Sequence, residues 1–476
     1  MKILRTQRKA IHGHTLLLTI VICGLIGFLL VAYLGLVKSQ NIATMRSQSW
    51  NATIPVIEAG IEDGLTHVNS RLTNDLTGEG WEKQGSIWVT KRSIGSSYYT
   101  VTISNWVVGC PTNHPVIESR GYVPSPVTVA SVNGPVFAAA IVSPSTPPKV
   151  ARGIRVLTTT FALFSKGLVA KGLIDLAGNN VESDSYDSRY TNSSTGGRYD
   201  VSKRRANGSI ATNSGITNSL NVANASIYGK VSTGPGGSIS IGPQGAVGDT
   251  AWVDSHSHHG QVQSGYFADD MNVDFAAVTL PGGATSYTTP PGPGIVGLTN
   301  YDYLIGDGKY RLGSLTLGSG PYKTMMVTGQ ASLYITGPNP VSISGQGSII
   351  IAPGGSLTLY VNSTSTDIGG QGVVNQNASA LAFTYYGMSN NTSVAIGGNG
   401  TFVGTLYAPN ADLTLKGGGN SDEDFSGAAI AKTVTIRGHY KFHYDEALAF
   451  MGPPKGYVVT RWDEMSPQDV AAGPSF

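Results

Sequence analysis

The sequence predicts a mainly β protein with a long N-terminal α-helix: a single transmembrane helix, a β-sheet subdomain, then a parallel β-solenoid, with a β-sandwich as the alternative. Three observations carry this. Leu16–Leu36 runs 21 residues without a charge. The residues after it keep an apolar period of three and four. Beyond about residue 81 the chain breaks into short β-branched and aromatic runs divided by Gly, Asn and Pro.

At about 1.5 Å rise per residue, Leu16–Leu36 spans a hydrocarbon core of roughly 30 Å. It exceeds a secretory h-region of about 7–15 residues, and Lys38 follows it where a small-residue cleavage site would stand. Lys2, Arg5, Arg8 and Lys9 precede it without an acid. The positive-inside rule then puts the N-terminus in the cytoplasm and the body outside. Residues 1–37 are read as basic leader and membrane span, the only one expected. Residues 38–75 are an amphipathic extension striped by Ile42, Met45, Trp50, Ile54, Ile57, Ile61, Leu65, Val68 and Leu72, with Pro55 predicting a kink.

Composition agrees with export. Charged residues are 13%, about half the usual soluble share, and the 62 glycines are well above average usage. A net charge of +2, without basic clusters outside the leader, argues against nucleic-acid binding. Cys23 and Cys110 make neither a disulfide framework nor a CxxC metal motif.

The basic leader, Gly13, the apolar helix and IEAGIEDGLTHVN at Ile57–Asn69 resemble the N-terminal region of type IV pilin-like proteins. The resemblance is closest to the PilX-type minor pilins, in which an E-A-G element, here Glu58, Ala59 and Gly60, follows the membrane helix. It covers about residues 8–70. It implies cleavage by a prepilin peptidase between Gly13 and His14, partners among other pilins or pseudopilins, and a bacterial plasma-membrane or cell-surface location. His14 stands where the family prefers Phe or Met, and Leu18 where major pilins carry a glutamate. An uncleaved signal anchor is the alternative.

Residues 76–190 read as a β-rich, pilin-like subdomain whose sheet covers the outer half of the helix. Within it, the apolar stretch of ARGIRVLTTTFALFSKGLVAKGLIDLAGN suggests a short helix between strands. Residues 191–452 read as a Gly-rich solenoid-like domain. Leu317, Ile335 and Ile351, spaced 18 and 16 residues apart, suggest one coil per interval. TTPPGPG at Thr288–Gly294 is expected to be a surface loop. Tyr407–Ala411 (YAPNA) and Phe442–Leu448 (FHYDEAL) resemble the closing coils of a module found in exported bacterial proteins. Residues 453–476 read as a partly ordered tail.

Candidate chemistry is sparse. In a strand, Asp254, His256 and His258 would share one face and begin a divalent-metal site, completed by Asp269, Asp270 or Asp274. Asp184, Asp187 and Asp200 offer hard oxygens for calcium, as does the loop Asp422-Glu423-Asp424. His439, His443, Asp445 and Glu446 lie in HYKFHYDEAL, where Tyr440, Phe442 and Tyr444 are expected to pack one way and His439, Lys441 and His443 to face the other. No GxSxG, HExxH, P-loop or dinucleotide fingerprint occurs. The expectation is therefore a non-enzymatic, membrane-anchored envelope protein that displays a β-rich head for filament assembly, adhesion or surface interaction. No cofactor is expected beyond a divalent metal at Asp254. The alternatives are a membrane-tethered β-helix acting on polysaccharide and a metal-stabilised binding module.

Overall fold

The computed structural model describes residues 12–70, 76–106, 114–125, 149–178, 180–318, 320–398, 400–417, 423–451 and 454–474. The basic leader, Leu72, Cys110 and Asp422 lie outside them. The chain divides into two compact units, Met1–Thr160 with Gly456–Phe476, and Phe161–Lys455. The expected boundary at residue 190 therefore moves back by 30 residues, from 190 to 160.

In the first unit one 59-residue helix, α1 (His12–Ser70), carries both the apolar span and its extension. Pro55, where a kink is expected, lies inside it. Among the described residues this is the single helix long and apolar enough to cross a membrane. Leu16–Leu36 is exposed throughout. The outer half is packed against an antiparallel sheet of β1 (Glu82–Gln84), β2 (Ile87–Ile94), β3 (Ser97–Ser104), β4 (Val116–Pro124) and β5 (Lys149–Ala162). The strand Pro454–Glu464 adds to β5 as the sixth. The expected tail is thus a sheet strand followed by a capped helical turn, Pro467–Ala471, whose Val470 is buried. Alternation in YVVTRWDE supplies the strand, and distant pairing supplies its order.

The stripe that faces this sheet is Thr53, Val56, Ile57, Gly60, Ile61, Gly64 and Val68. Trp50 and Ile54, expected on it, are exposed. The offset arises because small residues set the contact line. A Cβ on Gly60 would sit 2.3 Å from the Ser119 Oγ, and one on Gly64 2.8 Å from Ile117. On the facing strand a Cβ on Gly121 would come within 2.8 Å of Ile57. Ser119 Oγ donates to the Ile57 carbonyl at 2.9 Å. Close backbone approach selects glycine here.

The second unit is almost wholly parallel. Every pairing between its named strands is parallel, apart from the hairpin Gly294–Val296/Thr299–Tyr301. Antiparallel sandwich pairing is therefore not what these strands adopt. Three ladders recur in rotation as the chain coils. One coil takes 23 residues from Gly308 to Ala331, 26 from Leu357 to Phe383 and 21 from Thr384 to Thr405. Leu317, Ile335 and Ile351 prove to lie on three different ladders. Their spacing measures the step from face to face, not the coil. The stretch after β5 holds turns and the short strands Leu168–Ala170 and Ile174–Asp175 in place of the expected helix.

The order of coils along the stack differs from their order in sequence. The first coil (168–186) and those that follow it, through Phe267–Ala268, build one half outward. The chain then crosses to the far end, and residues 303–445 coil back to meet the first coil. All three ladders close there: Ala429↔Leu168, Val434↔Ile174 and His443↔Asp184. Both ends of the unit's chain therefore lie in mid-stack.

The crossing segment, residues 269–302, runs coil by coil down the outside. Val273 pairs with Asn213 through its N–H at 3.1 Å and its carbonyl at 2.5 Å. Tyr407 Oη donates to the Ala276 carbonyl at 2.7 Å. Val278 and Leu280 cover Tyr334, Tyr360 and Tyr386. Thr288 bonds Lys309 and Arg311 at the last coil. The covered tyrosines are in register: Tyr334↔Tyr360↔Tyr386↔Tyr407. TTPPGPG, mostly exposed, ends this strap.

Candidate functional site

The densest polar cluster in the second unit lies where the two halves of the stack meet. Strand Lys441–Asp445 slots between Phe425–Gly427 and Glu182–Tyr186. This register sets His443 Nδ1 2.5 Å from Asp184 Oδ1, both side chains having no exposure. Tyr199 stacks on the imidazole with 3.5 Å between ring centroids, and its hydroxyl donates to Asp184 Oδ2 at 2.6 Å. Burial first, and the Asp184 carboxylate second, hold the Tyr199 hydroxyl far above its ordinary pKa. Glu182, beside them, is also raised, by burial and then by Asp184, while Arg204 opposes the shift. Arg204 Nη1 reaches Glu182 at 3.0 Å.

Each residue of FHYDEAL has its own partner. Phe442 stacks on Phe425 at 4.7 Å. Tyr444 Oη donates to the Phe164 carbonyl at 2.8 Å. Asp445 Oδ1 accepts the N–H groups of Ser188 and Ala447, each at 3.1 Å, and burial raises its pKa. Glu446 Oε1 accepts from Ser185 at 2.8 Å, and from Arg205 and Asn207 at 2.9 Å each. Leu448–Met451 forms the short closing helix. His443 was expected to face away from Phe442 and Tyr444, but all three are buried. Tyr199, stacked on the imidazole, covers the side of the strand that would otherwise meet solvent. His439 alone of the group stays exposed.

The other expected sites separate. Asp254 ends a short helix, Thr250–Asp254, rather than lying in a strand. Its carboxylate is taken by Arg204 and by Tyr228 Oη, the latter at 2.9 Å. His256 has a φ of +52°, breaking the alternation, and its ring lies 5.8 Å from that of His259. His258 stacks on Trp252 at 3.5 Å. Asp269, Asp270 and Asp274 ride on the strap. Asp187 pairs with Arg189 Nη2 at 2.7 Å, and hydrogen bonds from that guanidinium hold its pKa below the ordinary carboxylate range. Asp200 caps the turn Val201–Lys203, and hydrogen bonds from Ser202 and Thr195 lower it to about 2. Glu423 accepts from Ser426 Oγ, and Asp424 from the Lys441 N–H at 2.8 Å. Among the described residues no three of His, Cys, Asp and Glu come together to hold a metal ion.

In the first unit, Glu58 is exposed, Ala59 half-buried and Gly60 buried, so within the E-A-G element Gly60 makes the close contact. Gly13 and His14 lie in the first turn of α1. Sequence reading missed His67, which touches Asp63 Oδ1 at 3.2 Å and Glu79 Oε2 at 2.9 Å. Asp63 Oδ2 also meets Arg92 Nε at 2.7 Å and accepts from Tyr99 Oη at 3.1 Å. Burial, then the Asp63 charge, pushes the Tyr99 hydroxyl up to about 12. A cleft of about 320 Å³ lined by Trp50, Tyr122, Arg152, Glu464, Met465 and Val470 opens beside the C-terminal strand. Arg152 stacks 4.6 Å over Trp50 and pairs with Glu464 at 2.8 Å.

No curated protein matches this chain. The crystal structure of the competence-associated pilin ComZ from Thermus thermophilus aligns with 11% identity over 88% of this chain and 97% of that one, at a TM-score of 0.25, too low to bear on the fold. Residues 292–451, which run from the end of the strap through the closing helix, match the family model described as Domain of unknown function (DUF7305).

Proposed function

We propose that this chain is a membrane-anchored, exported, pilin-like or pseudopilin-like envelope protein that displays a β-rich head, with its N-terminus in the cytoplasm. The observation that carries the reading is the division of α1. Its outer half buries a glycine-centred stripe against an antiparallel sheet, while Leu16–Leu36 stays apolar and exposed. A helix of that kind needs lipid or other helices around its inner half. The E-A-G resemblance adds support for the PilX-type assignment, for prepilin peptidase and other pilins as partners, and for roles in filament assembly or adhesion. N-terminal sequencing of the protein from cells with and without the peptidase tests it. A start at His14 that reverts to Met1 without the peptidase is expected. A Met1 start in both would overturn processing.

The three-ladder stack we read as a β-solenoid, because equivalent residues recur once per coil and apolar columns fill its interior. We also read the head as non-enzymatic and free of any cofactor requirement. Support comes from His443 and Asp184, the closest His–Asp pair among the described residues, being wholly shielded from any substrate. The polysaccharide-active reading retains only fold-level analogy.

A further inference from the structure

We propose that the hairpin Gly294–Val296/Thr299–Tyr301 is a lipid-inserting tip that docks the head on a second, anionic bilayer. The hairpin projects its aliphatic residues into solvent. Ile295 is 67% exposed, and Leu298, in the turn, 103%. Between them Val296 is 37% exposed, and Gly297 makes the bend at φ +63°. From Ala284 to Tyr301 there is no charged residue. Such a segment pays no ionic desolvation on entering hydrocarbon.

What stands behind the tip suits a membrane interface. Tyr303 and Tyr322 contact one another at 5.1 Å, and Tyr322 is exposed; tyrosine rings favour headgroup depth. Lys309, Arg311 and Lys323 are exposed at the same end of the stack. The acids there are turned into the backbone: Asp302 accepts the N–H of Lys323 at 2.8 Å and of Thr324 at 2.9 Å, and Asp307 that of Gln330 at 2.6 Å. Arg311 and Lys323 thus face outward, as anionic headgroups require, while the Lys309 ammonium lies 5.8 Å over the Tyr287 ring.

Size decides between lipid and protein. Three aliphatic side chains on a two-stranded finger fall far short of the roughly 800 Å² per partner that a stable protein interface buries. A bilayer requires no complementary shape. Weak insertion adds little where a 21-residue span already anchors the chain, so the tip matters on another membrane. This last step rests on the anchored-display reading above.

The test holds the full chain in lipid nanodiscs by its own helix and adds phosphatidylcholine vesicles with or without phosphatidylglycerol. Nanodiscs should co-float with the phosphatidylglycerol vesicles, and added salt should weaken this. Leu298→Asp, at a fully exposed position, should reduce co-flotation about 10-fold or more, and the double variant Lys309→Glu/Arg311→Glu should remove the salt dependence. Equal co-flotation of Leu298→Asp and wild type, or none by wild type, overturns the proposal. So does nanodisc pairing without vesicles that Leu298→Asp abolishes, which would make a second copy the occupant. If the chain does not enter nanodiscs, the anchored reading fails. The same comparison on the free chain then still decides the tip.

Discussion

His443 and Asp184, 259 residues apart in sequence, form one wholly buried contact at the place where the last coil of the parallel stack meets the first. Removing one partner strands the other without water. Asp184→Ala should cost about 3–5 kcal/mol in a reversible denaturant titration. His443→Phe paired with Asp184→Leu should recover part of that loss, because both hydrogen-bonding partners leave together. A double variant worse than either single change would show that the pair is not what closes the stack.

The glycines of α1 fall into two classes that substitution should separate. Gly60→Ala and Gly64→Ala place a methyl into Ser119 and Ile117 respectively. Each should destabilise the first unit by about 1–3 kcal/mol despite alanine's better helix propensity. Gly24, Gly27 and Gly35 have nothing within 4 Å of an added Cβ. Alanine there should leave the melting temperature unchanged. Equal behaviour of the two sets would argue against the glycine-centred packing.

Acid should act on two carboxylates in opposite directions. Arg189 depresses the Asp187 pKa, so its stabilisation is complete above the ordinary carboxylate value and lost as pH falls through the depressed one. Burial raises the Asp445 pKa, so the folded state gains relative stability as pH falls through that raised value toward the ordinary one. Asp187→Asn should therefore reduce the loss of melting temperature on acidification. Asp445→Asn should steepen it and leave stability equal or higher near neutrality. Melting curves taken from neutral pH downward distinguish the signs.

Tyr407 ties the strap to the stack through one hydrogen bond, to Ala276. Tyr407→Phe keeps the ring in its column and should cost about 0.5–1.5 kcal/mol. Cleavage by a broad-specificity protease should rise within residues 272–282 before the coils are attacked. Unchanged cleavage there would mean that the Val273–Asn213 pair, the Thr288 bonds and the apolar cover of Val278 and Leu280 hold the strap without it.

The sequence by itself determined the local features of this protein. An uncharged run of 21 residues followed by a three-and-four period is a helix wherever it sits, and alternating β-branched runs between glycines are strands. The short strands and their glycine turns were legible for the same reason, since triplets such as Val341-Ser342-Ile343 suit nothing longer, but they serve a sandwich as well as a parallel stack. Only the tertiary structure decided which runs pair. Three short strands at 168–186, the first coil, find partners at 429–445 in the last coil as well as in the coil that follows them, because stack order need not follow chain order. That pairing buries His443 and sets Asp445 and Glu446 against Ser188 and Ser185, while a separate pairing with β5 makes Pro454–Glu464 a sheet strand where local composition shows a tail. Asp254 and the histidines after it scattered for the complementary reason. One helical turn and a positive φ at His256 outweigh an alternation that is visible only along the chain.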